Sequence, residues 1–174
     1  MMSGMLQAAA PAMRNPLLAK AEQSIQAIVP ANMEQYVLRI VTAGMTAAFS
    51  PQSHGQIFQG LDQSVDKVHD IAMGTVGLML ILSKQSKDTM PKAPMLYAGL
   101  ILMLHGLDYL EQTMQVPIGN DEIAKATQIF MPVMQEKLGL TPAVLKSMSD
   151  NAHKHLQNPT FMQKYKQSQM SGAK

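Results

Sequence analysis

The sequence predicts an all-α protein: a helical bundle with a central apolar antiparallel helical hairpin and extended termini. Three observations predict it. Apolar residues recur at spacings of three and four through several segments. Two consecutive segments, 71–82 and 95–114, are apolar in nearly every direction, as helices buried on all sides are. Alternation of apolar and polar residues is nowhere long enough for a strand, and no internal repeat is evident.

Taken in order, residues 1–16 are small, methionine-rich and closed by Asn15-Pro16, which reads as a flexible or partner-ordered arm. A helical domain is expected over 17–156 and a basic polar tail over 157–174. The first helix, 17–29, ends before Pro30, which disfavours the α conformation at Val29. Residues 31–49 carry the stripe Met33, Val37, Ile40, Val41, Met45, Ala48, stopped by Ser50-Pro51. A single long helix is expected over 55–84, with Ile57, Leu61, Val65, Val68, Ala72, Val76 and Met79 on one face.

After Asp70 that helix loses its polar face. Gly74 and Gly77 interrupt it, at a cost of about 1 kcal/mol each, which is reasonable where another backbone approaches closely. Lys84, Lys87 and Lys92 surround a connector with Pro91 and Pro94, so the hairpin has a basic tip. The second arm, 95–114, contains Gly99 and Gly106. Packing is expected to centre on Gly74, Gly77, Met79, Leu80, Gly99, Leu102, Met103 and Gly106. Val116–Gly119 forms a turn, Asn120 is the expected cap of a helix to about Leu138 with a bend at Pro132, and Gly139 ends it. Thr141-Pro142 starts the last helix, which runs to about Leu156.

Composition excludes several chemistries. There is no Cys, so thiolate nucleophiles, disulfides and Cys-based metal sites are absent. Charged residues are only 15% of the 174, which favours burial in an assembly over a free monomer. Gln occurs 17 times against five Glu and two Arg, so polar faces are amide-rich. The 17 methionines include Met1, Met2, Met5, Met13, Met90, Met162 and Met170 outside the core stripes, where they suit surfaces that adapt to other chains. Neither phosphate-binding glycine loop nor nucleophile elbow is present, and the two SxxK matches, Ser64–Lys67 and Ser171–Lys174, lack the partners that chemistry needs. No enzyme activity, metal or cofactor is expected.

His69, Asp70, His105 and Asp108 fall at one end of the folded hairpin and are expected to meet there, as a hydrogen-bonded polar plug in preference to a metal or acid–base site. Charge is asymmetric: residues 137–174 carry a net +5 and the rest −3. Lys154, Lys164 and Lys166 are the candidate contacts to an anionic partner, nucleic acid or a membrane surface. A secretory leader is not expected, since no early basic region precedes an apolar run. The strongly apolar stretches of the hairpin, 71–82 at about 18 Å and 93–107 at about 22 Å of helix, fall short of the ~30 Å hydrocarbon core.

The start MMSGMLQAAAPAMRNP, the lack of Cys and Trp, the amide-rich helices and the hairpin GTVGLMLILSKQSKDTMPKAPMLYAGLILMLHGLDYLEQ together resemble a small structural virion protein of a tailed bacteriophage. The resemblance extends over most of the chain and assigns no functional residues. It implies a non-enzymatic assembly subunit in the virion, made in the host cytoplasm, that partners copies of itself and other particle proteins. Some such proteins are internal or ejected with the genome, which implies the alternative of a membrane-active holin- or ejection-type protein inserting the 71–107 hairpin. A small helical enzyme with a His/Asp site is the third reading.

Overall fold

The computed structural model describes residues 12–50 and 60–157, with side chains through residue 150. Among the described residues there are six α-helices and no strand: α1 (Pro16–Ile28), α2 (Glu34–Phe49), α3 (Lys67–Gln85), α4 (Lys92–Met114), α5 (Asn120–Leu138) and α6 (Pro142–Gln157). The fold is an all-α bundle. α4 is its centre and contacts α1, α2, α3 and α5, while α6 rests on α1.

Local chemistry explains the boundaries. Val29 is extended before Pro30 and Ser50 before Pro51, as the ring of a following proline requires. Gly139 closes α5 with φ +61°, a left-handed conformation suited to glycine. Gly119 rather than Asn120 is the cap residue of α5. Its N–H donates to Glu122 Oε2 at 2.8 Å, which is the carboxylate half of a capping box. Pro132 sits inside α5 on its exposed side, as does Gln128, whose carbonyl its missing N–H leaves without the usual helical donor. The stripe on α2 is buried as its spacing predicts, with Met33 half-buried at the edge.

The expected helix over 55–84 is corrected. Residues 55–59 lie outside the described residues. Leu61–Gln63 form a single 3-10 turn, Ser64 is extended, and α3 begins only at Lys67. Asp66 caps it, accepting from His69 N at 3.1 Å, and Lys67 Nζ donates to the carbonyls of Leu61 (2.6 Å) and Ser64 (3.2 Å), which closes the turn. Val65, expected on the apolar face, is fully exposed.

α3 and α4 form the antiparallel hairpin: Ile71 lies against Gly106, and Met79 against Gly99. Met79, Leu102 and Met103 are core residues. A Cβ at Gly99 would sit 2.5 Å from Phe130 Cζ, and one at Gly106 would sit 2.9 Å from Ile71, so both glycines admit a neighbouring side chain. Gly44 of α2 does the same for Leu102. The close approach expected at Gly74 and Gly77 is not found among the described residues: no atom of another element lies within 4 Å of a Cβ built on either. Nor is segment 71–82 sheltered all round. Met73 and Ile81 are 37% and 54% exposed, and Leu80 is half-buried. Among the described helices, α4 is the one buried almost throughout from Pro94 to Leu110, because it contacts four others.

Candidate functional site

Polar groups inside the bundle collect where the start of α1 crosses the C-terminal half of α4. Asn15 is buried and caps α1. Its Oδ1 accepts from Leu17 N at 2.8 Å and Leu18 N at 3.3 Å. Its Nδ2 donates to Glu111 Oε2 at 2.8 Å and to the carbonyl of Ile118 at 2.9 Å. Asp108 Oδ1 accepts the backbone N–H groups of Arg14 (3.1 Å) and Asn15 (3.0 Å), and Gln112 donates to its Oδ2. Glu111 Oε1 takes the N–H of Ile118 at 3.1 Å. The two carboxylates of α4 thus clamp the entry to α1 and the turn before α5 at once.

One turn earlier on α4, His105 is 5% exposed and its Nε2 lies 3.4 Å from Glu22 Oε1 of α1. The pair lacks the alignment of a hydrogen bond, and that nitrogen has no hydrogen-bond partner among the described residues. Beside these groups is an open cleft of about 600 Å³, lined by Arg14, Met45, Phe49, His105, Asp108 and Tyr109 among others. Phe49 and Tyr109 meet edge to face with ring centres 5.8 Å apart.

The expected meeting of His69, Asp70, His105 and Asp108 does not occur. His69 and Asp70 pair with each other on the exposed start of α3, Nδ1 to Oδ1 at 3.1 Å. His105 and Asp108 face α1. The reason lies on α4: Gly99 and Gly106 turn one face toward α3 and α5, which leaves residues 105 and 108 on the other side of the helix. Among the described residues no group of three or more His, Asp or Glu side chains is placed to hold a metal ion.

Two carboxylates at the start of α3 are held below the usual range. Lys125, 2.7 Å from Asp66, is the main cause there, followed by the N–H of His69. For Asp70 the hydroxyl of Ser64 leads, followed by His69. Burial pushes the Tyr97 phenol up.

Reasoning from sequence missed Asn15, Glu22 and Glu111. The signal for Asn15 was present, since Asn followed by Pro is a cap with proline in the first helical position. The two glutamates carried none, because the partners that tie them across the bundle, His105 for Glu22 and Asn15 for Glu111, are remote in the chain. Lys154 falls on the last turns of α6, where side chains are not described, and Lys164 and Lys166 lie outside the described residues.

No family model matches the sequence, and neither a curated protein nor a solved structure matches it.

Proposed function

We propose that the chain is a non-enzymatic structural subunit of a phage particle that acts by helix packing in an oligomer. One observation carries this reading. Buried Asn15 and Asp108 are engaged in holding the chain's own helices together, while apolar side chains in excess of the core face outward on α3. Its partners are copies of itself and other particle proteins, with the basic C-terminal residues available to nucleic acid. Size-exclusion chromatography with light scattering tests the reading. Concentration-dependent oligomers are expected, and a monomer at every concentration overturns it. Mass spectrometry of purified particles tests the location.

A second reading is membrane activity. α4 is one helix long and apolar enough to cross a bilayer by length and composition, with a mean hydropathy of 1.3 over its best 18-residue window. That window is 83% buried, which favours a core helix. Flotation with neutral and anionic liposomes discriminates. Co-flotation supports insertion, and failure with both removes it.

A further inference from the structure

We infer that the outward face of α3 pairs with the same face of a second copy, antiparallel, about a two-fold axis at Gly77; this rests on the oligomeric reading above. The face is Asp70, Met73, Gly74, Gly77, Ile81 and Lys84. At 100° per residue these positions fall within about 60° on either side of Gly77, over about 21 Å of helix. Asp70, Met73, Ile81 and Lys84 are exposed.

Two independent features select a second copy as the occupant. The first is charge. Asp70 lies seven residues before Gly77 and Lys84 seven after. An antiparallel copy therefore sets Asp70 against Lys84 at both ends of the contact, and Met73 against Ile81 between them. Asp66, further out, is already paired with Lys125. Parallel pairing sets like charges together. The second feature is the pair of helix-interior glycines. Each costs helix stability, and none of the described residues puts an atom of another element within 4 Å of a Cβ at either, so packing among the described helices does not explain them. At the centre of a two-fold crossing, glycine lets two backbones approach and apolar neighbours close over them. The strip is short of the ~800 Å² per partner of a standard interface, so association through it alone is weak and concentration-dependent.

The chain has no cysteine, so an introduced thiol is a clean probe. Gly77→Cys is expected to form a disulfide-linked dimer under mild oxidation, since residues on the axis meet their own copies. Met73→Cys alone is expected not to cross-link, its two copies lying about 12 Å apart along the helices, but to cross-link when mixed with Ile81→Cys. Asp70→Lys and Lys84→Asp are each expected to weaken association on the order of tenfold. Mixing these two variants restores it, because both charge pairs are then opposite. Far-UV circular dichroism confirms that each variant folds. Self-cross-linking of Met73→Cys overturns the antiparallel arrangement. Oligomers that persist without cross-linking at Gly77→Cys and without response to the charge reversals overturn this interface and leave the proposed function standing. A monomer throughout overturns both.

Discussion

The clamp at Asn15 gives the sharpest test of how the bundle is held. Asn15→Ala removes the α1 cap, at about 1 kcal/mol. It also strips the amide donor from Glu111, 2.8 Å away, and from the carbonyl of Ile118. A hydrogen bond to a charged group contributes roughly 1.5–3 kcal/mol, and the low end applies because Glu111 is half-buried. The expected loss is about 2.5–3 kcal/mol, read from urea unfolding followed by far-UV circular dichroism at low protein concentration. Asn15→Asp separates the two contributions. It keeps the acceptor for Leu17 and Leu18 and suits the helix dipole, but sets a second carboxylate against Glu111. At neutral pH it is expected to cost as much as alanine. Adding Glu111→Gln then returns an amide to the pair from the other side. The new oxygen still accepts from Ile118 N while the new nitrogen donates to the introduced carboxylate, and at least half of the loss is expected back. Asn15→Ala within about 0.5 kcal/mol of the parent, or no recovery in the double variant, refutes the clamp.

Gly99→Ala is expected to lose about 2 kcal/mol, since its methyl meets the ring of fully buried Phe130, whereas Gly74→Ala, with open space around it, gains roughly 0.5–1 kcal/mol; urea midpoints of dilute protein compare them directly. Phe130→Ala is expected to cost about 3–5 kcal/mol by the same measurement. Asp66 and Asp70 titrate lower in the folded chain than the 3.8 of a free side chain, so the stability they contribute is present above that value and is lost as pH falls through their lower folded range. Unfolding midpoints across the acid range should show this loss, reduced in Asp66→Asn, which keeps the cap and gives up the charge facing Lys125. Tyr97 has the opposite sign: burial raises it above 10.0, so its contribution is present below that value and is lost as pH rises through the folded pKa, which absorbance titration follows.

The architecture was legible wherever one residue's chemistry decides the local outcome. Pro30 and Pro51 forced extended residues before them, Gly139 supplied a left-handed close, and the apolar residues of 95–110, interrupted only by His105 and Asp108, marked a buried helix. It was illegible where a second segment decides. Val65 is in phase with the stripe of α3, yet the Asp66 cap and the Lys67 ammonium bound to upstream carbonyls hold residues 64–66 out of the helix. His105 and Asp108 share a face by spacing, but which helix they meet follows from Gly99 and Gly106 admitting Phe130 and Ile71. Asp108's partner Gln112 follows the i, i+4 spacing, but its backbone donors at Asn15 and Arg14 are 93 and 94 residues away, a distance no periodicity reports.

Why α4 is sheltered by polypeptide rather than lipid follows from what surrounds it. Its 23 residues span about 34 Å, enough for a ~30 Å hydrocarbon core, so length alone does not decide. Withdrawal into a bilayer covers α4 but uncovers its neighbours. Ile71, Met79 and Phe130, which fill the space over Gly106 and Gly99, face water once it leaves. At roughly 1.5–3 kcal/mol each, these three side chains alone cost about 5–9 kcal/mol, comparable with the whole stability of a domain. The helix also carries Asp108 and Glu111; Glu111's partners and the backbone donors of Asp108 stay behind on the entry to α1 and the turn before α5, and Gln112 alone travels with Asp108. An unpaired carboxylate in lipid adds a further penalty of about 2.5–3.5 kcal/mol at mid-bilayer. Packing among helices avoids both costs. It leaves uncovered, among other exposed side chains, the strip on α3, where Met73 and Ile81 face outward between charges of opposite sign, and a second bundle can cover that surface without opening the first.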